Sequence, residues 1–233
     1  EEILNADKDG EFFVHHFGNL LCLKVTLPIG EGKPVNVSDV LNELHRPDTV
    51  NLDEDAVKKF VLEGTDNGYE SVGSYTRNPV NDAVFVIDIS KDELKAICTI
   101  NPPSLGGADV SFEQIVTALK GQGVVAGISE EKITSLVDRP VYNIPAVVAE
   151  AVLPVDGRDA YIAYNFVTDR SQLKAKEAAN GQVNFKELNL IQNVVEGQLL
   201  AQKMLAERGK SGKTLFGKYL EAKNGKDINL PLG

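Results

Sequence analysis

Two stretches of the chain share one order of apolar, turn and helix-capping residues, and this shared order decides the fold. The first stretch consists of "CLKVTLP" (22–28), "VNVSDVLNELHR" (35–46) and "VNLDEDAVKKFV" (50–61). The second consists of "AICTINPP" (96–103), "VSFEQIVTALKG" (110–121) and "AGISEEKITSLV" (126–137). Matched residues lie 73 positions apart for Val25 and Cys98, and 76 apart for Asp53 and Ser129. The sequence therefore predicts an internal repeat over about 21–61 and 94–137.

Each copy of the repeat predicts one short strand followed by two helices. An apolar run that leads into a proline-bearing loop is typical of a strand. Ser111 with Gln114 three residues later forms a capping box at the start of a helix. The second helix of each copy begins with acidic residues in its first turn, where the helix dipole favours them. The predicted N-cap residues of the four helices are Asn36, Asp53, Ser111 and Ser129.

Further strands complete the predicted architecture. "AVFVIDIS" (83–90) predicts a strand, and "AVVAEAV" (146–152), "LPVDGRD" (153–159) and "AYIAYNFV" (160–167) together predict a β-hairpin. From Gly181 onward, glycines interrupt short apolar runs, and Gly197 favours two strands over one helix within 188–205. We therefore predict an α+β fold, with an N-terminal repeat domain over 1–168 and a β-rich segment over 169–233.

The composition limits the classes of function. The chain of 233 residues has a formal net charge of -10, which argues against binding to nucleic acid or to an anionic membrane. Two cysteines in a chain of this length are typical of a reduced, cytoplasmic protein, and no stretch is long and apolar enough to span a membrane. Because the sequence begins with Glu1 and ends abruptly, we expect a piece of a longer protein.

"AERGKSGKTLFG" (206–217) resembles a phosphate-binding loop only in part. Gly212, Lys213 and Thr214 fit the end of the motif, but Glu207 stands where its first glycine is required. Gly217 would also interrupt the helix that should follow the loop. We therefore predict a turn between short β elements.

The N-terminal stretch "NADKDGEFFVHH" (5–16) imitates a calcium loop. Its twelfth position requires a bidentate glutamate, and His16 stands there instead, so we predict a solvated turn. His15 and His16 would point to opposite faces of a strand and would not share a metal ion. No Cys or His spacing of the zinc-ligand type is present, and we expect no metal and no cofactor.

Asp88 is the strongest enzymatic candidate, because an acid within an apolar strand is typical of palm-type enzymes that hold two metal ions on carboxylates. Asp156 and Asp159 would supply its partners. The competing interpretation places Asp88 on the solvated face of a half-buried strand. We favour the second interpretation and expect no catalytic residue.

The segment 63–82, "EGTDNGYESVGSYTRNPVND", has no apolar periodicity and predicts an exposed loop. It contains Tyr69, Tyr75 and Arg77, residue types that are enriched at protein interfaces. These three residues are our candidate partner-binding site, with a plain surface loop as the alternative.

The C-terminal third of the sequence resembles the bacterial flagellar assembly protein A family. The residues that carry the resemblance are Gly181, Val183, Leu188 to Ile191, Asn193, Val194, Gly197, Leu200, Ala201, Gly209, Lys210, Gly212, Phe216, Gly217, Gly225, Lys226 and Leu230 to Gly233. The stretches 99–128 and 149–166 are also similar to that family. Ala151 and Ala160 depart from its glycines. The resemblance covers about residues 83–233.

The resemblance implies a cytoplasmic, non-enzymatic scaffold or regulator of flagellar assembly that acts through protein–protein contacts. It also implies that the β-rich segment leads into a parallel β-helix, which would begin near residue 233, and a homo-oligomer formed through that β-helix is left open. A metal-dependent nucleotidyl-transfer or cyclase-like enzyme remains one alternative, and a pure oligomerisation domain remains another.

Overall fold

The computed structural model describes residues 7–66, 68–166 and 195–229. These residues form an α+β fold in two compact units, one comprising the described residues of 1–152 with 214–218 and the other the described residues of 153–213 with 219–233. The elements of the first unit are β1 (Glu11–Phe17), β2 (Leu20–Thr26), α1 (Val37–Leu44), β3 (Thr49–Val50), α2 (Glu54–Glu63), β4 (Glu70–Tyr75), a 3-10 turn (Pro79–Asn81), β5 (Val84–Ile89), β6 (Lys95–Asn101), α3 (Phe112–Gly121), α4 (Glu130–Asp138) and β7 (Ala146–Glu150).

The first unit contains two antiparallel sheets, with strand orders β1-β2-β4-β3 and β5-β6-β7. In both, a hairpin is followed by two helices and then by a strand that pairs with the second strand of the hairpin. The register of that last pairing shifts between Leu21 and Cys22 in the first sheet and between Ala96 and Ile97 in the second. We call residues 11–75 the first half and residues 84–150 the second half.

The helices begin at the residues that the sequence predicts. Asn36 and Asp53 accept hydrogen bonds from backbone amides at the starts of α1 and α2, and Ser111 with Gln114 forms the capping box of α3. Asn51 and Gly127, which precede α2 and α4, have φ angles of 53° and 76°. A Cβ atom at Gly127 would lie 2.1 Å from the carbonyl oxygen of Glu150, so only glycine fits there.

Each half has its own apolar core between its sheet and its two helices. The core of the first half consists of Leu21, Leu23, Val25, Val40, Leu44, Val57, Val61 and Val72. The core of the second half includes Ile87, Ala96, Cys98, Ile100, Ile115, Leu119, Ile133, Val148 and Leu215. These side chains repeat at every second position on the strands and every third or fourth position on the helices, which explains the pattern of the sequence.

Leu215 reaches the second core from the C-terminal part of the sequence. Its backbone N–H donates to the carbonyl oxygen of Glu93, and its own carbonyl accepts from Val125 and Ala126. It lies in the turn between β10 (Gly212–Lys213) and β11 (Tyr219–Leu220), which pair antiparallel. The predicted turn between short β elements is therefore confirmed, and no helix follows Lys213.

Two stretches that the sequence predicts as turn and loop are strands, and those predictions are wrong. β1 occupies the second half of the stretch predicted as a solvated N-terminal turn, and β4 lies within the predicted exposed loop 63–82. Between Glu70 and Tyr75 only Val72 and Tyr75 are buried, and they lie three positions apart, so burial does not follow every second residue. Two apolar residues are too few to produce a visible alternation.

The predicted hairpin within 146–167 is also wrong. β7 pairs with β6, whereas β8 (Tyr161–Tyr164) pairs antiparallel with β9 (Ala201–Met204) of the second unit. Asp156 accepts the backbone N–H of Lys223 at 2.8 Å, so it does not form the turn of a hairpin to β7. The predicted domain boundary at 168/169 lies outside the described residues, as does the first part of 188–205.

Among the residues that the structure describes, none of the helices has the length and apolar character needed to cross a membrane. Cys22 and Cys98 are free, buried thiols in different sheets.

Candidate functional site

The two sheets of the first unit have matched outer faces, which point away from their own cores. The first outer face consists of Glu11, Phe13, His15, Phe17, Leu20, Cys22, Lys24 and Thr26. The second outer face consists of Val84, Val86, Asp88, Lys95, Ile97, Thr99 and Asn101. When the two sheets are aligned at their register shifts, Lys24 of β2 corresponds to Thr99 of β6. Phe13 pairs with Lys24 and Val86 pairs with Thr99, so Phe13 corresponds to Val86.

The first outer face is covered by the second half through a buried ion pair. Lys24 Nζ lies 2.7 Å from Asp138 Oδ2, at the end of α4, and the two side chains are only 5% and 13% exposed. The ammonium also lies 5.8 Å from the centre of the Phe13 ring and 5.6 Å from that of Tyr69. A buried ammonium needs such a carboxylate, because an unpaired charge in this position would be strongly unfavourable.

Tyr69 contributes a second hydrogen bond to the same carboxylate. Its hydroxyl donates to Asp138 Oδ1 at 2.7 Å, so both oxygens of Asp138 are engaged by the first half. Burial, followed by this hydrogen bond to a carboxylate, raises the pKa of Tyr69 far above its ordinary value. Tyr69 is therefore a neutral donor, and its ring packs edge-to-face against Phe17 at 5.0 Å.

His15 and Asp109 make a second connection between the halves. His15 Nδ1 lies 3.2 Å from Asp109 Oδ2, and His15 Nε2 lies 3.3 Å from the carbonyl oxygen of Asp138. The imidazole of β1 therefore contacts two oxygen atoms of the second half, one from a side chain and one from the backbone.

Asp109 is also held by the backbone of β1. Its N–H donates to the carbonyl oxygen of His16 at 2.7 Å, and its Oδ2 accepts the N–H of His16 at 2.9 Å. Burial by itself would raise the pKa of Asp109, but the hydrogen bonds from His15 and His16 outweigh it and hold this pKa below its ordinary value. The carboxylate is therefore a fixed, ionised acceptor.

Two clefts border this polar network. One, of about 310 Å³, is lined by Lys24, Tyr69 and Asp138 together with Phe17 and Phe112. The other, of about 360 Å³, lies beside Gly106 and Gly107 and includes His16, Asp48 and Asp109.

Within the second cleft, two buried polar atoms have no hydrogen-bond partner among the described residues: His16 Nε2 and Asp48 Oδ1. Burial lowers the pKa of His16, and the nearby Asp109 carboxylate offsets only part of that effect. Ser104 lines the second cleft together with His15 and His16. The observed hydrogen bonds of the network join β1 and β2 to the loop after β6 and to the end of α4.

The second outer face differs in that it is open to solvent. Val84 is 60% exposed and Val86 is 54% exposed, whereas their counterparts on β1, Glu11 and Phe13, are half-buried. Asp88 is exposed beside them and forms no ion pair among the described residues. An uncovered apolar face on a sheet of this size is a candidate surface for contact with another protein.

The predicted partner-binding residues Tyr69, Tyr75 and Arg77 are not exposed loop side chains. Tyr75 is 5% exposed; its ring lies 4.1 Å from that of His16, and its hydroxyl donates to the carbonyl oxygen of Gly18 at 2.8 Å. Arg77 forms a half-buried ion pair with Asp82. The expectation of exposure is wrong because the segment carries β4, while a role of these residues in binding a partner stays a prediction.

The three predicted metal-binding acids lie in different surroundings. Asp88 belongs to β5, whereas Asp156 and Asp159 belong to the second unit and accept the backbone N–H groups of Lys223 and Lys226. Across residues 7–66, 68–166 and 195–229, no group of three or more His, Cys, Asp or Glu side chains is arranged to hold a metal ion.

Sequence reasoning missed the residues that join the halves: Lys24, His15, Asp109 and Asp138. The sequence contained one indication of a buried ion pair: Lys24 is the single charged residue within the apolar run "LLCLKVT" (20–26). A charge in the middle of a buried strand is rarely tolerated without a partner.

The fold and the network define an α+β protein whose buried polar residues join two similar halves. Residues 85–233, well over half of the chain, match the model of the Flagellar Assembly Protein A N-terminal region. The chain belongs to this family, as the resemblance of its C-terminal third predicts. No curated protein and no solved structure matches the chain.

Proposed function

We propose that this chain is a non-enzymatic scaffold or regulator of flagellar assembly that acts in the cytoplasm through contacts with other proteins. Membership of the Flagellar Assembly Protein A N-terminal region family carries the proposal. The polar groups of the first unit support it, since Lys24 binds Asp138 and His15 binds Asp109, while Val84 and Val86 of the second outer face are accessible to a partner.

The enzymatic alternative has less support. A metal-dependent transfer of nucleotides needs several carboxylates that converge on the metal ions, whereas Asp88 is an exposed side chain on β5. Titration of the protein with Mg²⁺ or Mn²⁺ and a nucleotide in a calorimeter distinguishes the two. Binding that is abolished by Asp88→Ala would favour the enzyme.

We also propose that the two halves are copies of one ββααβ unit and that the segment 169–233 leads into a parallel β-helix. The common strand order, helix order and register shift support the first part. An experimental structure in which 21–61 and 94–137 do not superpose would contradict it.

The proposed function is tested in a flagellated bacterium that encodes the protein. Deletion of its gene should change the number or placement of flagella and reduce swimming, and expression of the natural gene should restore both. Expression of the gene carrying Val86→Glu tests whether the second outer face is needed. Normal flagella and normal swimming in the deletion strain would overturn the proposal.

A further inference from the structure

The second cleft contains two polar atoms whose hydrogen bonds the described residues do not supply. His16 Nε2 and Asp48 Oδ1 are buried and have no partner among those residues. His16 belongs to β1 and is 7% exposed, whereas Asp48 lies between α1 and β3. The loop after β6 lines the same cleft with Ser104, Gly106 and Gly107. Because buried polar groups are almost always hydrogen-bonded, two such atoms in one cleft indicate a bound molecule.

The charges of the cleft favour a cation. Its lining contains the carboxylates of Asp48 and Asp109 and the guanidinium of Arg46. Arg46 is already paired, since its Nη2 lies 2.6 Å from a carboxylate oxygen of Glu43. The acidic charge that remains repels an anion, and a buried carboxylate oxygen without a partner is unfavourable until a donor or a cation reaches it.

The imidazole of His16 is suited to accept a hydrogen bond from the same cation. Burial lowers the pKa of His16, so the ring is neutral at pH 7. A neutral imidazole has one N–H donor and one acceptor nitrogen. When the proton is on Nδ1, Nε2 is an acceptor, as Asp48 Oδ1 is. A group with several donors and no acceptor satisfies both atoms.

The walls of the cleft favour an aliphatic ligand. The cleft has a volume of about 360 Å³, and its apolar lining residues are Val14, Pro47, Pro103, Leu105 and Tyr142. Methylene groups pack favourably against such a lining. Because both unsatisfied atoms are buried, a ligand that reaches them must end in a small polar group on a narrow stem. An ammonium group on a chain of methylenes meets both conditions, since it has three donors and no acceptor.

We propose that the second cleft binds a primary ammonium group on an aliphatic stem, with the ammonium donating to Asp48 Oδ1 and His16 Nε2. A lysine side chain of another protein and a free alkylamine share this chemistry. A divalent metal ion fits less well, because within the described part of the chain no group of three or more metal-binding side chains is present. This inference does not rest on the role in flagellar assembly and does not involve the second outer face.

An NMR titration of the whole chain tests the proposal with three small probes. n-Butylamine is a free amine, Nα-acetyl-lysine methylamide presents the lysine side chain on a peptide unit, and Nα-acetyl-norleucine methylamide lacks the ammonium group. The two amines should bind with about millimolar affinity, as expected for ligands of few atoms, and should shift the imidazole resonances of His16. The norleucine derivative should not. Tighter binding of the lysine derivative than of butylamine would identify a protein side chain as the natural ligand, and the reverse order a free amine.

Two variants with the same change of charge locate the site. Asp48→Asn keeps the size of the side chain and should weaken the binding of both amines about tenfold or more, the effect of losing a hydrogen bond to a charged group. Asp39→Asn is the matched control, because Asp39 is exposed in the first turn of α1 and does not line the cleft. Its affinity for the amines should equal that of the wild type.

The proposal is overturned if neither amine shifts the His16 resonances at concentrations up to about 50 mM, because the two atoms then bond only ordered water. It is also overturned if the norleucine derivative binds as tightly as the lysine derivative, or if Asp39→Asn weakens binding as much as Asp48→Asn. A parallel titration with Zn²⁺ covers the metal alternative. Binding of Zn²⁺ at His16 without binding of either amine would identify a metal site instead and would likewise overturn the proposal.

Discussion

Both sheets contain a hairpin whose second strand pairs with a later strand through the same register shift, and the first sheet adds β3. Nevertheless, the outer face of the first sheet is largely covered and that of the second is largely open. On the first, Phe13 and Lys24 face a carboxylate and an arginine from the other half of the molecule. On the second, Val86 and Thr99 occupy the same places, and Val86 is exposed. Backbone topology alone therefore does not decide what a sheet face binds; the side chains on it do.

The largest loss of stability is expected when the buried ion pair between Lys24 and Asp138 on the first outer face is broken. Lys24→Ala leaves the Asp138 carboxylate buried without its cation and should reduce the free energy of unfolding by about 3–5 kcal/mol. Urea denaturation measures this change. Lys132→Ala is the control, because it removes an exposed ion pair to Glu150 and should cost about 0–1 kcal/mol. Equal losses in the two variants would mean that Lys24 is not desolvated.

Substitutions of the buried Tyr75 distinguish a role in the stability of the fold from a role in binding a partner. Tyr75→Ala removes a buried ring and should destabilise the protein by about 3 kcal/mol, whereas Tyr75→Phe loses only the hydrogen bond to Gly18, about 1 kcal/mol. Thermal melting ranks the two variants. If Tyr75→Ala instead left the melting temperature unchanged and weakened binding to a partner protein, the result would support the prediction that Tyr75 binds the partner.

The acid stability of the contact is expected to depend on Asp109. Its pKa in the folded protein lies below the ordinary value of about 3.9, so its contribution is present above that pH and is lost as the pH falls through the folded pKa. Asp109→Asn should cost about 2 kcal/mol at pH 7, as expected for a hydrogen bond to a charged group. The difference in free energy of unfolding between this variant and the wild type should become smaller below about pH 4.

Urea denaturation at several pH values measures this gap. Asp88→Asn changes the exposed carboxylate of the second outer face and is the control at pH 7, where its free energy of unfolding should stay within about 0.5 kcal/mol of the wild type. A gap for Asp109→Asn that stays constant down to pH 2 would show that the charge of Asp109 does not stabilise the fold.

The smallest change in the free energy of unfolding is expected when Phe13 and the corresponding Val86 are each replaced by alanine. Phe13→Ala removes a ring that contacts Lys24 and Arg139 and should cost about 1 kcal/mol beyond the effect of Val86→Ala, which should stay within about 0.5 kcal/mol of the wild type. Chemical denaturation of the two variants side by side gives the difference. Similar values would mean that the first outer face is no better packed than the second.

The local features of this fold could be predicted from the sequence. The N-caps of the four helices, the strands β2, β5 and β6 and the turn after Lys213 all depend on residues within a few positions of one another. An N-cap side chain bonds an amide two or three residues away, so its signal is complete within a short window. The family could be predicted from the C-terminal third for the same reason, since its motifs are short and glycine-rich.

Only the tertiary structure decided which faces meet. Lys24 and Asp138 are 114 residues apart, and His15 and Asp109 are 94 apart, so no window of sequence contains both members of either pair. β4 appeared as a loop because its place beside β2 is set by pairing with distant residues and not by its own alternation. The sequence by itself determined the four helices and the strands β2, β5 and β6, whose signals are local. The distant charged partners decided that one sheet face is largely buried and the other largely exposed.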